Sequence, residues 1–356
     1  MKKLFLSIIA LVGTVSASAQ LSDGVTATLQ NGETTTVFYG FDAFKDALAA
    51  APDAGGIITL SPGAFSNPGA ISKTLKIYGA GFIKDAVNNI SETRVNGNLT
   101  ITSTDALVPV VRIEGVYFVN DFVIEGAQAV ANTEVIKCSF AEFYNSVETN
   151  NTIIRQSYIR GSLHGRNKLT TGLVVANCWI GGRISSNYYT DDKFATGSSG
   201  TINHCIIAYY YGGSYGSDYF PFDYRNNIVN YCSNCCGAGS TCYNNVGWES
   251  RFSCGGQNTS ENNYDVALWT NWKTLLADGQ DNLDFFIKDT TTPRTWVLAE
   301  PTTYVGNDGT PCGVTGGDFP WNPIPATPRI LSTSVDAKTT PGTLKVSIKA
   351  EARPLE

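Results

Sequence analysis

The chain has 356 residues, 42% of them apolar and 16% charged, so it can build a sizeable core and lacks the composition of a disordered segment. A formal net charge of −6 with no Lys/Arg cluster argues against nucleic acid or an anionic membrane surface as partner, because phosphates would be repelled. The length allows two domains, but a solenoid can absorb it as one.

Met1-Lys2-Lys3, the apolar run Leu4 to Val15 and Ala17-Ser18-Ala19 before Gln20 form the three parts of a secretory signal peptide over residues 1–19. The apolar run is too short to span a bilayer, and no transmembrane segment is expected. The exported chain belongs in the periplasm, at the cell surface or outside the cell. Without Lys2 and Lys3 its formal charge becomes 23 − 31 = −8.

Next comes a short helix over Phe41 to Ala51, with Asp42 as N-cap and Phe44, Ala47, Leu48 and Ala51 on one face. Strand patterns follow at Ile57 to Leu60, Leu75 to Tyr78, Asn98 to Ile101 and Val110 to Phe118. From Val135 onward one phrase returns in changed spelling: Val-Ile-Lys-Cys-Ser-Phe, Ile-Arg-Gln-Ser-Tyr-Ile, Val-Ala-Asn-Cys-Trp-Ile, Ile-Asn-His-Cys-Ile-Ile, Tyr-Arg-Asn-Asn-Ile-Val and Cys-Tyr-Asn-Asn-Val-Gly. Its fourth position falls at Cys138, Ser157, Cys178, Cys205, Asn227 and Asn245, with a degenerate seventh at Asn263. The spacings of 19, 21, 27, 22, 18 and 18 leave no room for a helix in each repeat. Stacked coils of short parallel strands fit, with equivalent residues about 4.8 Å apart and the Asn amides chained into a ladder.

The recurring strand with its Asn or Cys ladder resembles the right-handed parallel β-helix proteins of the pectin-lyase-like superfamily. The entrance resembles theirs too: a capping helix, a strand ending in Pro62-Gly63, then a strand ending in Gly79-Ala80-Gly81. The resemblance implies an all-β, single-stranded right-handed parallel β-helix over residues 20–318, with the helix as an N-terminal lid over the open end. Residues 319–356 read as a Pro-rich linker, Pro320 to Pro328, followed by a C-terminal strand hairpin. The fold carries lyases, hydrolases and binding proteins alike.

The nine cysteines divide in two. Cys138, Cys178 and Cys205 occupy the ladder and read as buried thiols. Cys232, Cys235, Cys236, Cys242, Cys254 and Cys312 read first as disulfide staples in an exported protein, with Cys232-x-x-Cys235-Cys236 as a weaker zinc motif.

Chemistry is sought along an outer groove. Tyr188 and Tyr189, then Tyr209, Tyr210, Tyr211, Tyr215 and Asp218, place flat aromatic faces beside carboxylates, as a polysaccharide site requires. Asp191-Asp192 supplies paired acids, but the Gly-His-Gly and Arg-Ile-Lys motifs of the family's polygalacturonases are missing. Elimination from a uronate would need a base and a cation, for which His164, Arg166 and Lys168 are candidates. Asp191, Asp192, Asp218 and Asp223 are candidate ligands for Ca²⁺, although the Arg-x-Pro-x-Arg motif of calcium-dependent lyases is absent. His204 lies in a ladder phrase and reads as structural. The sequence therefore points to polysaccharide binding along an outer groove, with a polysaccharide lyase, and less readily a glycoside hydrolase, as the alternative.

Overall fold

The computed structural model describes residues 24–184, 193–208, 222–230, 240–247, 259–266, 272–280, 284–286, 293–326, 329–335 and 346–351. They form an all-β parallel solenoid whose strands stack into sheets of 13, ten and five strands. One turn shows the plan. Val130–Ile136 lies in the first sheet, Ser139–Phe140 in the second and Phe143–Asn145 in the third, before Thr149–Arg155 returns to the first.

The period-two pattern of each strand places one row of side chains inside. In the first sheet Ile77, Ile113, Val135, Ile154, Val175 and Ile202 are in register and fully buried. Phe118, Phe140, Ile159 and Ile180 do the same in the second. At roughly 1.5 to 3 kcal/mol per buried large apolar side chain, these stacks supply the main stabilising term.

A single residue turns the chain from the first sheet into the second. It is Gly115, Lys137, Gln156, Asn177, His204, Asn226, Asn244 and Asn262 on eight successive turns, each with φ between 49° and 75°. That left-handed conformation rotates the strand direction in one residue. The corner still donates its N–H to the next turn, as in Lys137 to Arg155 O (3.0 Å) and Asn226 to Tyr243 O (3.0 Å).

The residue after each corner points inward and is the repeating fourth position. Cys138, Cys178 and Cys205 direct their thiols at the carbonyl two residues back, at 3.2 to 3.3 Å. From Asn227 onward the Asn ladder forms. Asn245 Nδ2 donates to Tyr224 O (3.0 Å) and Asn263 Oδ1 (3.0 Å), while Asn245 Oδ1 accepts from Asn227 N (3.1 Å) and Nδ2 (2.9 Å).

The first end is closed by two elements. Helix α1, Ala43–Ala50, buries Ala43, Phe44, Ala47 and Leu48. Its expected side-chain N-cap is not made; Asp42 Oδ1 instead accepts from Ser66 Oγ (2.6 Å). The C-terminal carbonyls are gathered by Lys73 Nζ, which donates to Leu48 O, Ala49 O and Ala51 O. The second element, absent from the sequence reading, is an antiparallel hairpin of Thr26–Asn31 and Thr34–Tyr39 laid against Ile57–Leu60.

Two further expectations are corrected. Cys242 and Cys312 are free, buried thiols, as are Cys138, Cys178 and Cys205. Cys242 stacks over Tyr224 in the interior row, and Cys312 Sγ donates to Asn244 O (3.1 Å), so neither is placed to staple a surface loop. Burial pushes the Cys312 thiol up to about 12. Cys232, Cys235, Cys236 and Cys254 lie outside the described residues.

The Pro-rich segment is not a free linker either. Pro320 O accepts from Gln156 Nε2 (2.8 Å), Trp321 packs edge-on against Phe82 and Phe285, and Ala326 N donates to Glu114 Oε1 (2.9 Å). Residues 303–326 are thus a strap running back along the corners. Beyond it Arg329–Val335 and Val346–Glu351 pair antiparallel as the expected hairpin.

The ladder gives a graded prediction. Asn245→Leu strands Tyr224 O and the Asn227 N–H in the core, and should cost about 3 kcal/mol or more by urea denaturation. Ser157→Ala, which frees only the Arg155 O and Cys138 N partners, should cost about 1 kcal/mol.

Candidate functional site

The third sheet carries the only expected site residues that the structure brings together among the described residues. Val123, Tyr144 and His164 occupy one register position on successive turns. After His164 the chain reverses through Gly165-Arg166-Asn167-Lys168. Lys168 N donates to Gly165 O (2.8 Å), and Arg166 and Asn167 have φ of 42° and 55°. Gly165 is required by close approach, since a Cβ there would lie 2.5 Å from Phe194 Cα. Asn167 N donates to Lys193 O (2.7 Å) and Ala195 N to Lys168 O (3.2 Å), so the turn is held on both sides.

This turn aims the side chains. The Arg166 guanidinium lies 3.5 Å from the centre of the Tyr144 ring. His164 Nε2 is 3.6 Å from Glu142 Oε2, and its Nδ1 is buried without a hydrogen-bond partner. Lys168 is exposed beside them, and among the described residues no carboxylate pairs with Arg166 or Lys168. The arrangement is a cationic, partly aromatic surface next to an imidazole. It can bind a carboxylate through a flat guanidinium and an ammonium.

Tyr144 was not among the sequence candidates. Its signal was the repeat itself, because it stands 20 residues before His164, one turn below. Tyr188, Tyr189, Asp191 and Asp192, and likewise Tyr209, Tyr210, Tyr211, Tyr215 and Asp218, lie outside the described residues. The flanks of the first group are described. Ile184 bridges Leu163, and Lys193 receives Asn167, so the chain leaves and rejoins the coil beside the His164 turn.

Asp223 belongs elsewhere. It projects from the first sheet, where Oδ2 pairs with Arg225 (2.8 Å) and Oδ1 accepts from Thr241 Oγ1 (2.5 Å). No group of three or more His, Cys, Asp or Glu among the described residues could hold a metal ion.

The first sheet has a groove of its own, about 890 Å³, floored by Ile57, Leu75, Val111, Ile153 and Val174. Its Arg112 is already paired with Glu134 (2.7 Å) and Glu114 (3.2 Å). Its lining contains no aromatic ring and only one cation outside that network, the exposed Lys76, whereas the third-sheet surface sets two cations beside an aromatic face.

His204 is structural. It is fully buried beneath the strap, with Nε2 donating to Asp308 Oδ2 (2.7 Å) and Nδ1 facing Gly313 O (3.3 Å). Asn177 Nδ2 donates to Val314 O (3.0 Å) and Gly316 O (2.7 Å), and Asn226 Nδ2 to Asn307 Oδ1 (2.9 Å), so the corner side chains fasten the strap.

No protein-family model, curated protein or solved structure matches this chain. No helix among the described residues is long and apolar enough to cross a membrane.

The strap gives a pH prediction. Burial opposes ionisation of Asp308, but hydrogen bonds from the Thr310 backbone, His204 and the Thr310 hydroxyl outweigh it and hold the carboxyl below its ordinary range. A carboxyl depressed on folding adds stability above its unfolded value, about 3.9, and that stability is lost as pH falls through the folded value. Hydrogen-exchange protection over 303–318 should therefore drop on acidification below about pH 4. Asp308→Asn should lower it already at neutral pH and remove the acid step.

Proposed function

We propose that this chain is an exported, pectin-lyase-like β-solenoid that binds an acidic polysaccharide across its third sheet. The observation carrying this reading is the Arg166 guanidinium stacked 3.5 Å from the Tyr144 ring, with Lys168 two residues away in the same tight turn. A stacked guanidinium keeps its donors in one plane, which matches a uronate carboxylate bidentately. Lys168 offers a second cation to a neighbouring residue of the glycan.

The test is retardation in gels containing polygalacturonate or alginate, against a neutral glucan. Retardation by the acidic polymers alone, weakening with salt, is expected. Arg166→Ala with Lys168→Ala should reduce it by roughly tenfold or more, as for loss of a charge-assisted bond of about 1.5 to 3 kcal/mol. Equal retardation by the neutral glucan, or an unaffected double variant, would count against the reading.

One observation favours a second reading, β-elimination. His164 has a buried Nδ1 without a partner and an Nε2 near Glu142, and it stands beside two cations. In this role Nε2 would take the C5 proton α to the uronate carboxylate, the C–H electron pair would form the C4=C5 double bond as the C4–O glycosidic bond breaks, and the departing oxygen would take a proton from water. Arg166 and Lys168 would stabilise the charge that develops, with Ca²⁺ a further candidate for that task. Growth of the unsaturated product's ultraviolet absorbance, abolished by His164→Ala, would establish it. A flat trace across a panel of uronate polymers, with and without Ca²⁺, would leave binding alone.

A further inference from the structure

The 13-stranded sheet begins at Thr34–Tyr39, which pairs with Thr26–Asn31 on one side and with no other strand among the described residues. Gly40 N donates to Val25 O across this hairpin, which fixes the phase of the pairing. The even-numbered residues turn their backbone groups towards Thr26–Asn31, and Thr35, Val37 and Tyr39 turn theirs outward. An exposed row of amides and carbonyls is a template for another strand.

Edges are ordinarily guarded by Lys, Pro, a bulge or a short strand. Here there is none of these. Thr-Thr-Thr-Val-Phe-Tyr contains no charge and no proline, and its six residues run in unbroken register. All are β-branched or aromatic, the residues that stabilise cross-strand pairs. Tyr39 is 54% exposed and Phe41 45%, so aromatic surface continues past the strand.

We propose that two copies of this chain pair through Thr34–Tyr39, antiparallel, about a two-fold axis at Val37 normal to the sheet. The occupant is a second copy because this strand is complementary to itself. Rotation about that axis sets Val37 opposite Val37 and Thr35 opposite Tyr39 of the other copy. Every outward amide and carbonyl of Thr35, Val37 and Tyr39 is then used on both edges. The opposed side chains lie on one face, as antiparallel pairing demands, and no like charges meet. The two solenoids become one sheet continued end to end, an isologous contact that closes at the dimer.

Sedimentation equilibrium of the full exported chain tests this, with Val37→Lys and Val37→Glu as variants. Val37 points away from the interior, so both variants should keep the wild-type circular dichroism and melt. The wild type should show a reversible monomer–dimer equilibrium. Each variant alone should be monomeric, because two like charges face each other across the axis. An equimolar mixture of the two should recover the dimer. A monomeric wild type at all concentrations, a Val37→Lys protein that still dimerises, or a mixture that stays monomeric would overturn the proposal.

Discussion

The solenoid depends on a corner made by one residue. Between the first and second sheets the backbone enters the left-handed region for a single step, and the amide of that residue still bonds the turn above. A β-branched residue would not tolerate this conformation, whereas Gly and Asn adopt it at least cost. Lys137, Gln156 and His204 occupy it too, at a strain of roughly 1–2 kcal/mol each, which the continued ladder offsets. The next residue is thereby driven inward at a narrow point. It must be small, or able to bond copies of itself, and Cys, Ser and Asn meet those conditions in different ways.

The same geometry explains the strap. A corner residue in the left-handed region throws its side chain outward, and consecutive corners present a column of amides and one imidazole along the flank. Left in water they would add little. Covered by residues 303–326 they become anchors: Asn244, Asn226, His204, Asn177 and Gln156 each hold a successive part of the returning chain. At the far end, Glu114 is buried and receives Ala326 N. The strap bonds turns that are far apart in sequence, so it opposes the sliding or fraying to which a stack of near-identical units is prone.

What could be read from the sequence follows this division. The fourth position was legible because interior packing restricts it to a few residue types at a steady period. The third was not, because Gly, Lys, Gln, Asn and His share a backbone conformation rather than a chemistry. Thr34–Tyr39 was missed because it forms no part of the repeat, and the strap was misread because four prolines between 320 and 328 suggest an extended linker, whereas Pro325 packs against Gly115. Cys242 and Cys312 were grouped with the loop cysteines because the six outside the ladder make an even set, when the register puts one in the core and hydrogen bonding puts the other under the strap. At the site, the charged turn from His164 to Lys168 was readable directly. Tyr144 required the period to be carried from the ladder to the third sheet.

The choice between the two surfaces rests on charge. A chain of net charge −6 repels an acidic polymer at long range, so binding to one would have to come from cations not already neutralised by the protein. In the first-sheet groove Arg112 lies between Glu114 and Glu134, which a glycan carboxylate would have to displace, and Lys76 is left as a single cation with no aromatic ring in the lining. On the third sheet Arg166 rests on an aromatic ring and Lys168 is exposed, and among the described residues neither has to break an ion pair to receive an anion. The positive phi angles at Arg166 and Asn167 build the tight turn on which both cations stay exposed, while Glu142 faces His164 instead.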